Sequence, residues 1–400
     1  MHVVVLGAGV VGVTTAYYLS ERGHRVTVVD RADSVAAGAS AGNGGQLSYS
    51  FTDAMASPAL LSKIPKIMIG LDPAFYVRPP LNTQLVCWGQ AFLRQCSNHQ
   101  NRQNTTAILQ MALRSDNLMA ELRKQTLLEF SFRQAGKLVM LGTHAALTEA
   151  AKVCTLKRSY GCDARVVTFA EAAEIEPALN HMHNQYTGAV YSENDQVGDS
   201  LVFTDGLSQW LTTSRDTQFK LNTTVQKLVT HGGKLAAIET DQGAIQADAV
   251  VVCLGAWSKQ LLDPLGIRTN IYPMRGYSVT LPVKETSSSV SISDTAYKIV
   301  FSRLGDKMRI AGFADFVGFH TEMDSARSQK LLDTARTIAP AIADYAVDST
   351  GEWGGFRPMT PDSRPLIGPS TIKGIHLNTG HGMLGWTLAC ASGQDVAEGI

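Results

Sequence analysis

The chain has 400 residues, of which 44% are hydrophobic, and this length and composition predict a globular protein with two domains rather than one core. Its 35 basic and 35 acidic residues give a formal net charge of zero without a long run of either sign, which argues against a nucleic-acid partner. The six cysteines include no C-x-x-C pair and no His/Cys ligand spacing, so we expect free thiols in a reducing compartment and no metal site.

The first predicted element is a strand that turns into a helix. Residues 2–6 form a continuous apolar, β-branched run, which is typical of a strand buried on both faces. Gly7, Gly9 and Gly12 then give the pattern G-x-G-x-x-G. In such a unit the first glycine makes the tight turn, the second admits a pyrophosphate, and the third allows helix and strand to pack closely. The N-terminus of the helix offers unpaired N–H groups and a positive dipole end to phosphates.

The helix is expected to end at Gly23, and a second buried strand at 26–29 leads to Asp30. The Asp30 carboxylate can accept hydrogen bonds from a ribose 2′-OH, and its charge argues against a 2′-phosphate and hence against NADP. NAD and FAD remain open, because both present the same ADP half. The alternative is a glycine-rich turn that binds nothing. The expected nucleotide contacts are Gly7, Gly9, Val10, Val11, Gly12, Asp30 and Arg31.

The next segment, 36–48, consists almost entirely of small residues and predicts a loop whose backbone closely approaches a neighbouring group. We interpret this group as the ribityl and flavin part of a cofactor, and the alternative is a flexible surface loop. The residues concerned are Ser40, Ala41, Asn43, Gly44, Gly45 and Gln46.

The central part of the chain mixes helical and strand patterns. Helices are predicted at about 105–126, 144–159 and 326–339, and strands within 132–143 and 187–194. Further strand patterns are a buried run at 249–254 that ends in a turn at Gly255, an alternating run at 271–283, and a hairpin at 297–315 that turns around 304–306. The final segment, 374–400, has the pattern of strand, glycine turn and helix. That helical pattern still continues at Ile400, which leaves open whether the C-terminus is complete.

The order of these segments predicts an α/β fold in which two domains are interleaved. A Rossmann-like nucleotide-binding domain is expected to comprise residues 1–50, 199–268 and 345–400. A mostly antiparallel α+β substrate domain is expected to comprise residues 51–198 and 269–344.

The closing motif TGHGMLGWT favours FAD over NAD. It repeats the opening device of strand, glycine turn and helix N-terminus, so it implies a second electron-rich target. A reduced flavin is anionic around its N1–C2 carbonyl, whereas reduction of nicotinamide removes a positive charge. The alternative is a helix that only packs against the core. The expected flavin contacts here are Gly380, Gly382, Met383, Leu384, Gly385, Trp386 and Thr387.

Several motifs together resemble the D-amino-acid oxidase superfamily of flavoproteins, most closely its bacterial D-amino-acid dehydrogenases of the small-subunit type. The resemblance extends over essentially the whole chain and rests on VVVLGAGVVGVTTAYYL, SAGNGGQLS, YPMRGYSVTLP, DTAYKI, GFRPMTPDSRPLIG and LNTGHGMLGWTLACASGQ. In that family the first of these motifs binds the ADP part of FAD, the second lies beside the flavin, and the last lies at the pyrimidine edge of the flavin. Val225 and Gly255 complete the expected FAD contacts.

The resemblance also implies a reaction. Members of the family oxidise the Cα–N bond of an amino acid by transferring a hydride from Cα to flavin N5, and the imino acid then hydrolyses to a 2-oxo acid and ammonia. The dehydrogenases pass the electrons to a respiratory quinone or another carrier. Open alternatives are a related FAD-dependent oxidase, a D-proline or hydroxyproline dehydrogenase, an NAD-dependent dehydrogenase, and a flavin-binding protein without catalysis.

Four residues are candidates for the substrate site. Arg357 matches the family's carboxylate-binding arginine, whose planar fork can bond both oxygens; the alternative is a structural arginine paired with Asp362 or with backbone carbonyls. Tyr297 matches a strand tyrosine that glycine oxidases place over the substrate, and the alternative is a core tyrosine. Tyr277 is a weaker candidate. His381 lies in the glycine turn beside the expected flavin, where it could instead bond the backbone.

Two positions depart from related families. Glycine oxidases have a second arginine in the closing motif where this chain has Met383, so their carboxylate clamp is not reproduced. Sarcosine oxidases carry a flavin-linked cysteine at the position of Gly355, so the resemblance implies a non-covalent FAD.

The sequence shows no secretory leader and no run of 18 apolar residues, so we expect a cytoplasmic location. Residues 57–95 interleave apolar side chains with basic ones, including Lys63, Lys66 and Arg78. This pattern suits peripheral contact with anionic lipid on the cytoplasmic face of the inner membrane, and access to quinone. The alternative is a lid or a packed part of the substrate domain. The preferred amino acid, the electron acceptor and the oligomeric state stay open.

Overall fold

The computed structural model describes residues 1–78, 82–183, 185–322 and 324–400. Its strands, in chain order, are β1 (His2–Leu6), β2 (Arg25–Val29), β3 (Gln46–Leu47), β4 (Phe75–Val77), β5 (Lys137–Leu141), β6 (Arg165–Thr168), β7 (Gly188–Ser192), β8 (Gln196–Val197), β9 (Gln218–Lys220), β10 (Val225–His231), β11 (Lys234–Thr240), β12 (Gly243–Ile245), β13 (Ala249–Val252), β14 (Tyr272–Pro282), β15 (Ser291–Asp294), β16 (Ile299–Leu304), β17 (Lys307–Phe316), β18 (Gly351–Met359), β19 (Leu366–Pro369) and β20 (Ile375–Thr379).

The α-helices, in chain order, are α1 (Val10–Glu21), α2 (Pro58–Leu61), α3 (Ile64–Met68), α4 (Thr83–Gln95), α5 (Asn98–Thr126), α6 (His144–Arg158), α7 (Phe169–Ile175), α8 (Ser200–Arg215), α9 (Ser258–Leu262), α10 (Ser325–Ile338) and α11 (Gly385–Glu398). Short 3-10 helices occupy Pro177–His181, Gly255–Trp257 and Asp263–Leu265. None of the described helices has the length and hydrophobicity needed to cross a bilayer.

One sheet has six strands in the order β19-β20-β13-β1-β2-β9. All neighbours in it are parallel except β19, which runs antiparallel to β20. Its central strands are buried on both faces, as their apolar sequences predict. The opening unit of β1, α1 and β2 agrees with the prediction from the sequence. Gly23, with a φ of +79°, follows the end of α1.

Helices and a small sheet cover the two faces of the six-stranded sheet. On one face α1, α8, α11 and α5 share a hydrophobic core with β1 and β13. On the other face the antiparallel sheet β10-β11-β12 packs through Leu228 and Ile238 against Val4 and Val250. Helix α5 therefore packs on α11, in the helical layer that covers the nucleotide-binding sheet, although its sequence lies in the segment 51–198 that was assigned to the substrate domain.

The second large sheet has nine strands. Eight follow the order β18-β14-β17-β16-β15-β5-β7-β6, and β4 pairs with β17. Its pairs are antiparallel except β15 with β5 and β17 with β4, and the predicted hairpin is formed by β16 and β17. β18 joins this sheet, whereas the sequence placed 345–400 in the nucleotide-binding domain. The segment 271–283 forms β14, but the strand is buried along nearly its whole length rather than on one face, because α10 packs on it and its apolar side chains belong to the core of the nine-stranded sheet.

Candidate functional site

A cavity of about 1110 Å³ lies between the two large sheets. One end is formed by the residues that follow the carboxyl ends of β1, β2, β13 and β20, where ligands bind in open parallel sheets. The other end is formed by β14, β17 and β18, together with the segment around α2 and α3. A single cavity therefore connects the nucleotide-binding turn with the antiparallel sheet.

The glycines of the opening motif shape the nucleotide end of the cavity. Gly7 has a φ of +107°, and a Cβ there would lie 2.6 Å from the carbonyl oxygen of Cys253. A Cβ on Gly12 would collide with the Gly7 carbonyl, so Gly12 packs helix against strand as the spacing predicts. Gly9 differs, because the nearest atom to its Cβ position is Ser40 Oγ at 3.5 Å. The free space at Gly9 belongs to the cavity, as a pyrophosphate site requires.

The residues after β2 form a polar and aromatic wall. Asp30 Oδ2 accepts a hydrogen bond from the Ala8 N–H at 2.7 Å, and its Oδ1 accepts from the Ala32 N–H at 2.9 Å. The Asp30 carboxylate thus holds the turn itself, and its contact with a ribose stays a prediction. The guanidinium of Arg31 stacks over the ring of Trp257 at 4.2 Å, and both side chains line the cavity.

The N-terminus of α11 adjoins the same cavity. Its N-cap residue, Leu384, supplies no capping side chain, and the first turn contains no acidic residue. The positive end of the helix dipole is therefore not compensated by the protein at this end. Gly382, with a φ of +55°, and Gly380, with a φ of +79°, make the turn that brings the helix to this point.

Most of the cofactor contacts expected from the sequence line the cavity. The lining members are Gly7, Gly9, Val10, Val11, Asp30, Arg31, Ser40, Asn43, Gly44, Gln46, Val225, Gly255, Gly382, Met383, Leu384, Gly385, Trp386 and Thr387. The expected contacts that are not among the lining residues are Gly12, Ala41, Gly45 and Gly380. Three of these four are glycines at which a Cβ would lie less than 3 Å from a neighbouring atom, so they shape the backbone around the cavity.

Arg357 lies in the cavity wall. Its Nη1 donates a hydrogen bond to the Phe313 carbonyl at 2.6 Å, and its Nη2 lies 3.5 Å from the Gly312 carbonyl. The Phe313 carbonyl is available because β17 has an irregular register with β14 there and Phe313 has a φ of +60°. A Cβ at Gly276 would collide with the guanidinium, so the glycine in the motif YPMRGYSVTLP makes room for Arg357.

The charge of Arg357 has no paired carboxylate among the described residues. Of the partners considered from the sequence, the backbone carbonyls are contacted, whereas Asp362 accepts a bond from the Arg364 N–H. Burial lowers the pKa of Arg357 to about 10. The guanidinium therefore still carries its positive charge at neutral pH. A carboxylate in the cavity would supply the missing counter-charge.

Tyr277 lines the cavity and belongs to a buried polar network. Its hydroxyl donates to Asp315 Oδ2 at 3.0 Å, and Arg327 binds both oxygens of Asp315, at 2.9 Å from Nε and 2.5 Å from Nη2. Burial raises the pKa of Tyr277 above its usual range, and the neighbouring Asp315 raises it further. The Tyr277 hydroxyl therefore stays protonated and acts here as a hydrogen-bond donor.

His381 lines the cavity but is almost completely buried. Its Nε2 lies 3.0 Å from Ser392 Oγ, a side-chain partner rather than the backbone partner considered from the sequence. Burial lowers the pKa of His381 to about 3, so its imidazole is neutral at physiological pH. A neutral imidazole in this place can orient a ligand but does not provide a positive charge.

Tyr297 is not among the lining residues. Its ring is partly buried and packs against the core of the nine-stranded sheet, which is the alternative considered from the sequence. Its neighbours Thr295, Ala296 and Lys298 line the cavity in its place.

Among the lining residues that the sequence did not indicate, three make distinctive contacts. Lys137, on β5, is buried and bonds Gln46 and Ser48. Trp353 covers Gly355 and Gly42 so closely that a Cβ on either glycine would collide with its indole. Arg275 is buried, donates from Nη1 to the His320 carbonyl at 2.6 Å, and has an unpaired Nε. The close glycines could have indicated Trp353, but no local signal indicated Lys137.

The described residues contain no cluster of His, Cys, Asp and Glu arranged to hold a metal ion. The six cysteines are free, and Cys253 is the one that lines the cavity. Burial raises the pKa of the Cys253 thiol to about 12.

The parallel nucleotide-binding sheet opens on a large cavity, and the antiparallel sheet lies on the opposite side. Two helix N-termini face the space between the sheets. This arrangement is that of a flavin-dependent oxidoreductase. The chain belongs to the DAO family of FAD dependent oxidoreductases, whose family model matches residues 2–399. FAD is therefore its cofactor, and the predicted α/β fold is confirmed. The glycine turn with space at Gly9 and the uncapped end of α11 fit the diphosphate and the ring of this cofactor.

Curated relatives are similar over the full length of the chain. A D-amino acid dehydrogenase from Phenylobacterium zucineum (strain HLK1) is 37% identical over 402 residues, which cover 100% of this chain and 94% of the relative. A D-amino acid dehydrogenase from Paramagnetospirillum magneticum (strain ATCC 700264 / AMB-1) is 37% identical over 401 residues with the same coverage.

Solved structures with the same fold are more distant in sequence. Glycine oxidase from Geobacillus kaustophilus has a TM-score of 0.78 at 21% identity, covering 99% of this chain and 93% of its own. L-proline dehydrogenase from P. horikoshii has a TM-score of 0.74 at 20% identity, covering 99% and 92%. At this level of identity the likeness concerns the fold alone.

Proposed function

We propose that this protein is an FAD-dependent dehydrogenase that oxidises D-amino acids to 2-oxo acids and ammonia. The names of the full-length relatives support this reaction, and Arg357 is the observation that carries it. A partly buried arginine without a carboxylate partner, in the wall of the cavity that takes FAD, suits the carboxylate group that all α-amino acids share.

FAD supplies the acceptor for the hydride that leaves Cα. The chain positions the reactants: the turn around Gly9 holds the diphosphate, the N-terminus of α11 faces the ring, and Arg357 fixes the substrate carboxylate. If the amine arrives neutral, it needs no residue to remove a proton before the hydride leaves. Loss of the hydride and of one N–H proton gives the imino acid, and water then converts the imino acid to the 2-oxo acid and ammonia.

The FAD is proposed to be non-covalent. Gly355, at the position of the flavin-linked cysteine of sarcosine oxidases, offers no nucleophile. The cavity cysteine, Cys253, lies next to Gly7 at the nucleotide end and is kept protonated by burial.

We assign FAD to the unit built from residues 1–50, 199–268 and 345–400, with β18 as the part of this unit that joins the nine-stranded sheet. The substrate would bind against the unit built from residues 51–198 and 269–344, which contributes β14 and β17 to the cavity wall. Helix α5 belongs to the second unit by sequence, but its apolar side chains are part of the hydrophobic core of the first unit.

Electrons are proposed to pass to a quinone or another carrier at the cytoplasmic face of the inner membrane. Leu60 and Lys63, from the α2–α3 segment, line the cavity, and Ile69 and Leu71 at its outer side are 69% and 70% exposed. Exposed apolar side chains beside Lys66 suit peripheral contact with anionic lipid. The same segment would then join the membrane surface to the cavity.

Anaerobic reduction of the flavin tests the proposed reaction. Absorbance near the flavin bands is followed after the holoenzyme is mixed with matched D- and L-amino acids, including D-alanine and D-proline. We expect bleaching by D-amino acids and little by their L-enantiomers. Bleaching by D-proline alone would instead favour a cyclic imino acid dehydrogenase, and no bleaching by any D-amino acid would refute the proposal.

A further inference from the structure

A buried lysine lies in the cavity wall without a role in the proposed reaction. Lys137 begins β5 and is 2% exposed. Its ammonium donates to Gln46 Oε1 at 2.7 Å and to Ser48 Oγ at 2.7 Å, which are both neutral acceptors. No carboxylate of the described chain lies within ion-pair distance of Lys137. Its three N–H groups therefore have two neutral partners among the bonds that the structure shows.

The surroundings hold this ammonium in a fixed orientation. Gln46 Nε2 donates to Ser291 Oγ at 2.5 Å, which turns the amide oxygen of Gln46 toward Lys137. The ring of Phe51 lies 4.9 Å from Lys137 Nζ. Lys137, Gln46, Ser48 and Phe51 all line the cavity, so an ammonium with two hydrogen-bond acceptors and three N–H groups belongs to the cavity wall.

The same cluster adjoins the N-terminus of α11. The Ser48 N–H donates to Thr387 Oγ1 at 3.2 Å, and Thr387 belongs to the first turn of α11. Ser48 therefore links two positive features of the cavity wall, the ammonium of Lys137 and the uncapped N-terminus of α11. Burial lowers the pKa of Lys137 to about 8; the charge of Asp195 opposes this shift and that of Lys157 adds to it. An anion in the cavity would therefore favour the charged form of Lys137.

We propose that the Lys137 ammonium contacts the pyrimidine side of the FAD ring and, together with the N-terminus of α11, stabilises the negative charge that this ring acquires on reduction. The inference rests on the proposed function, in which the ring accepts a hydride. Lys137 would then set the reduction potential of the flavin rather than bind the amino acid, which is left to Arg357.

Three variants of the holoenzyme test this role. Lys137→Gln removes the charge but keeps hydrogen-bonding groups, and Lys137→Arg keeps the charge. Lys234→Gln is the control, because it removes the same charge from an exposed lysine on β11 that does not line the cavity. The measured quantities are the two-electron midpoint potential and the dissociation constant of sulfite, which adds to flavin N5 and leaves the ring anionic.

In Lys137→Gln we expect the ratio of reduced to oxidised flavin, at a given applied potential, to fall tenfold to a hundredfold. For a two-electron couple this corresponds to a midpoint potential lower by ~30–60 mV. The sulfite dissociation constant should rise by a similar factor. Lys137→Arg should stay close to wild type in both quantities, and Lys234→Gln should match wild type. Values for Lys137→Gln within twofold of wild type would overturn the proposal.

A variant that loses FAD on purification still decides the question. Titration of apo-Lys137→Gln with oxidised FAD and with dithionite-reduced FAD gives two dissociation constants, whose ratio reports the same shift in potential. A merely structural lysine would weaken both constants equally and leave their ratio unchanged, and that outcome refutes the proposal. None of these measurements uses an amino acid, so they remain valid if the panel of D-amino acids fails to reduce the flavin.

Discussion

Replacement of Arg357 tests the substrate site most directly. Arg357→Lys keeps a positive charge but loses the planar fork and shortens the side chain, so one ammonium cannot both reach the Phe313 carbonyl and bond two carboxylate oxygens. A charge-assisted hydrogen bond contributes about 1.5–3 kcal/mol. We therefore expect kcat/KM for D-alanine to fall on the order of tenfold to a hundredfold.

Arg357→Ala should be more severe. It leaves the substrate carboxylate without a partner in the cavity. Removal of one partner of a buried ion pair costs about 3–5 kcal/mol. This corresponds to a loss on the order of a hundredfold to several thousandfold in kcat/KM. The change also removes the donors to the carbonyls of Gly312 and Phe313, so some loss of thermal stability should accompany it.

The assay is anaerobic stopped-flow reduction of the flavin by D-alanine, measured together with the ratio of FAD to protein. Arg364→Ala is the control, because Arg364 is exposed and does not line the cavity. FAD content should be unchanged in all three variants if Arg357 faces the substrate. A structural arginine would show the reverse pattern, with FAD lost and a near-normal KM in the enzyme that survives. Near-wild-type reduction by Arg357→Ala would refute the reasoning.

Three further predictions concern the cofactor, the pH dependence and the membrane. Gly9→Val should abolish FAD retention, because the free space beside Gly9 would be filled by the new side chain, and a variant that still purifies yellow would place the diphosphate elsewhere. Burial lowers the pKa of His381 to about 3, whereas the same side chain in the unfolded chain has a pKa of about 6.5. Between these two pH values the unfolded chain binds one more proton than the folded chain. The free energy of unfolding therefore falls as the pH falls, by up to about 1.4 kcal/mol per pH unit. His381→Asn should remove this part of the slope in urea titrations at saturating FAD, and an unchanged slope would contradict the assignment. The protein should co-float with anionic liposomes at low salt, and an Ile69→Ser, Leu71→Ser double variant should not; equal flotation of both would exclude this segment as the contact.

The nucleotide-binding half was predictable because its signals are local. The glycines of the opening motif act within the strand–turn–helix unit that contains them, so their spacing alone specifies the geometry. Helix boundaries were less well predicted where the apolar pattern is weak. Helix α5 begins at Asn98 rather than near 105, because Ser97 caps it by accepting a hydrogen bond from the Gln100 N–H.

The substrate half depended on contacts between distant segments. Lys137 stands at the start of a strand, and lysine is among the residues that are rarely buried. It is buried here because β3 and the residue that follows it bring Gln46 and Ser48 within hydrogen-bond distance of its ammonium. Tyr297 matches a family motif, yet the turn that contains it directs its ring to the core. The pairing of β18 with β14 also joins segments about 80 residues apart, which no period in the sequence encodes.

The distribution of charge links these features to the reaction. The chain has a formal net charge of zero, so the positive character of the cavity is local rather than general. The proposed arrangement matches three positive elements with three anions: the N-terminus of α1 faces the diphosphate, Lys137 and the N-terminus of α11 face the flavin ring, and Arg357 faces the substrate carboxylate. Lys137 and Arg357 lie on β5 and β18, which are separated by four strands in the nine-stranded sheet, so each can be neutralised without removing the other. Loss of Lys137 should therefore change the flavin potential with little effect on carboxylate binding, and loss of Arg357 should do the opposite, because the two charges act on different ends of the same hydride transfer.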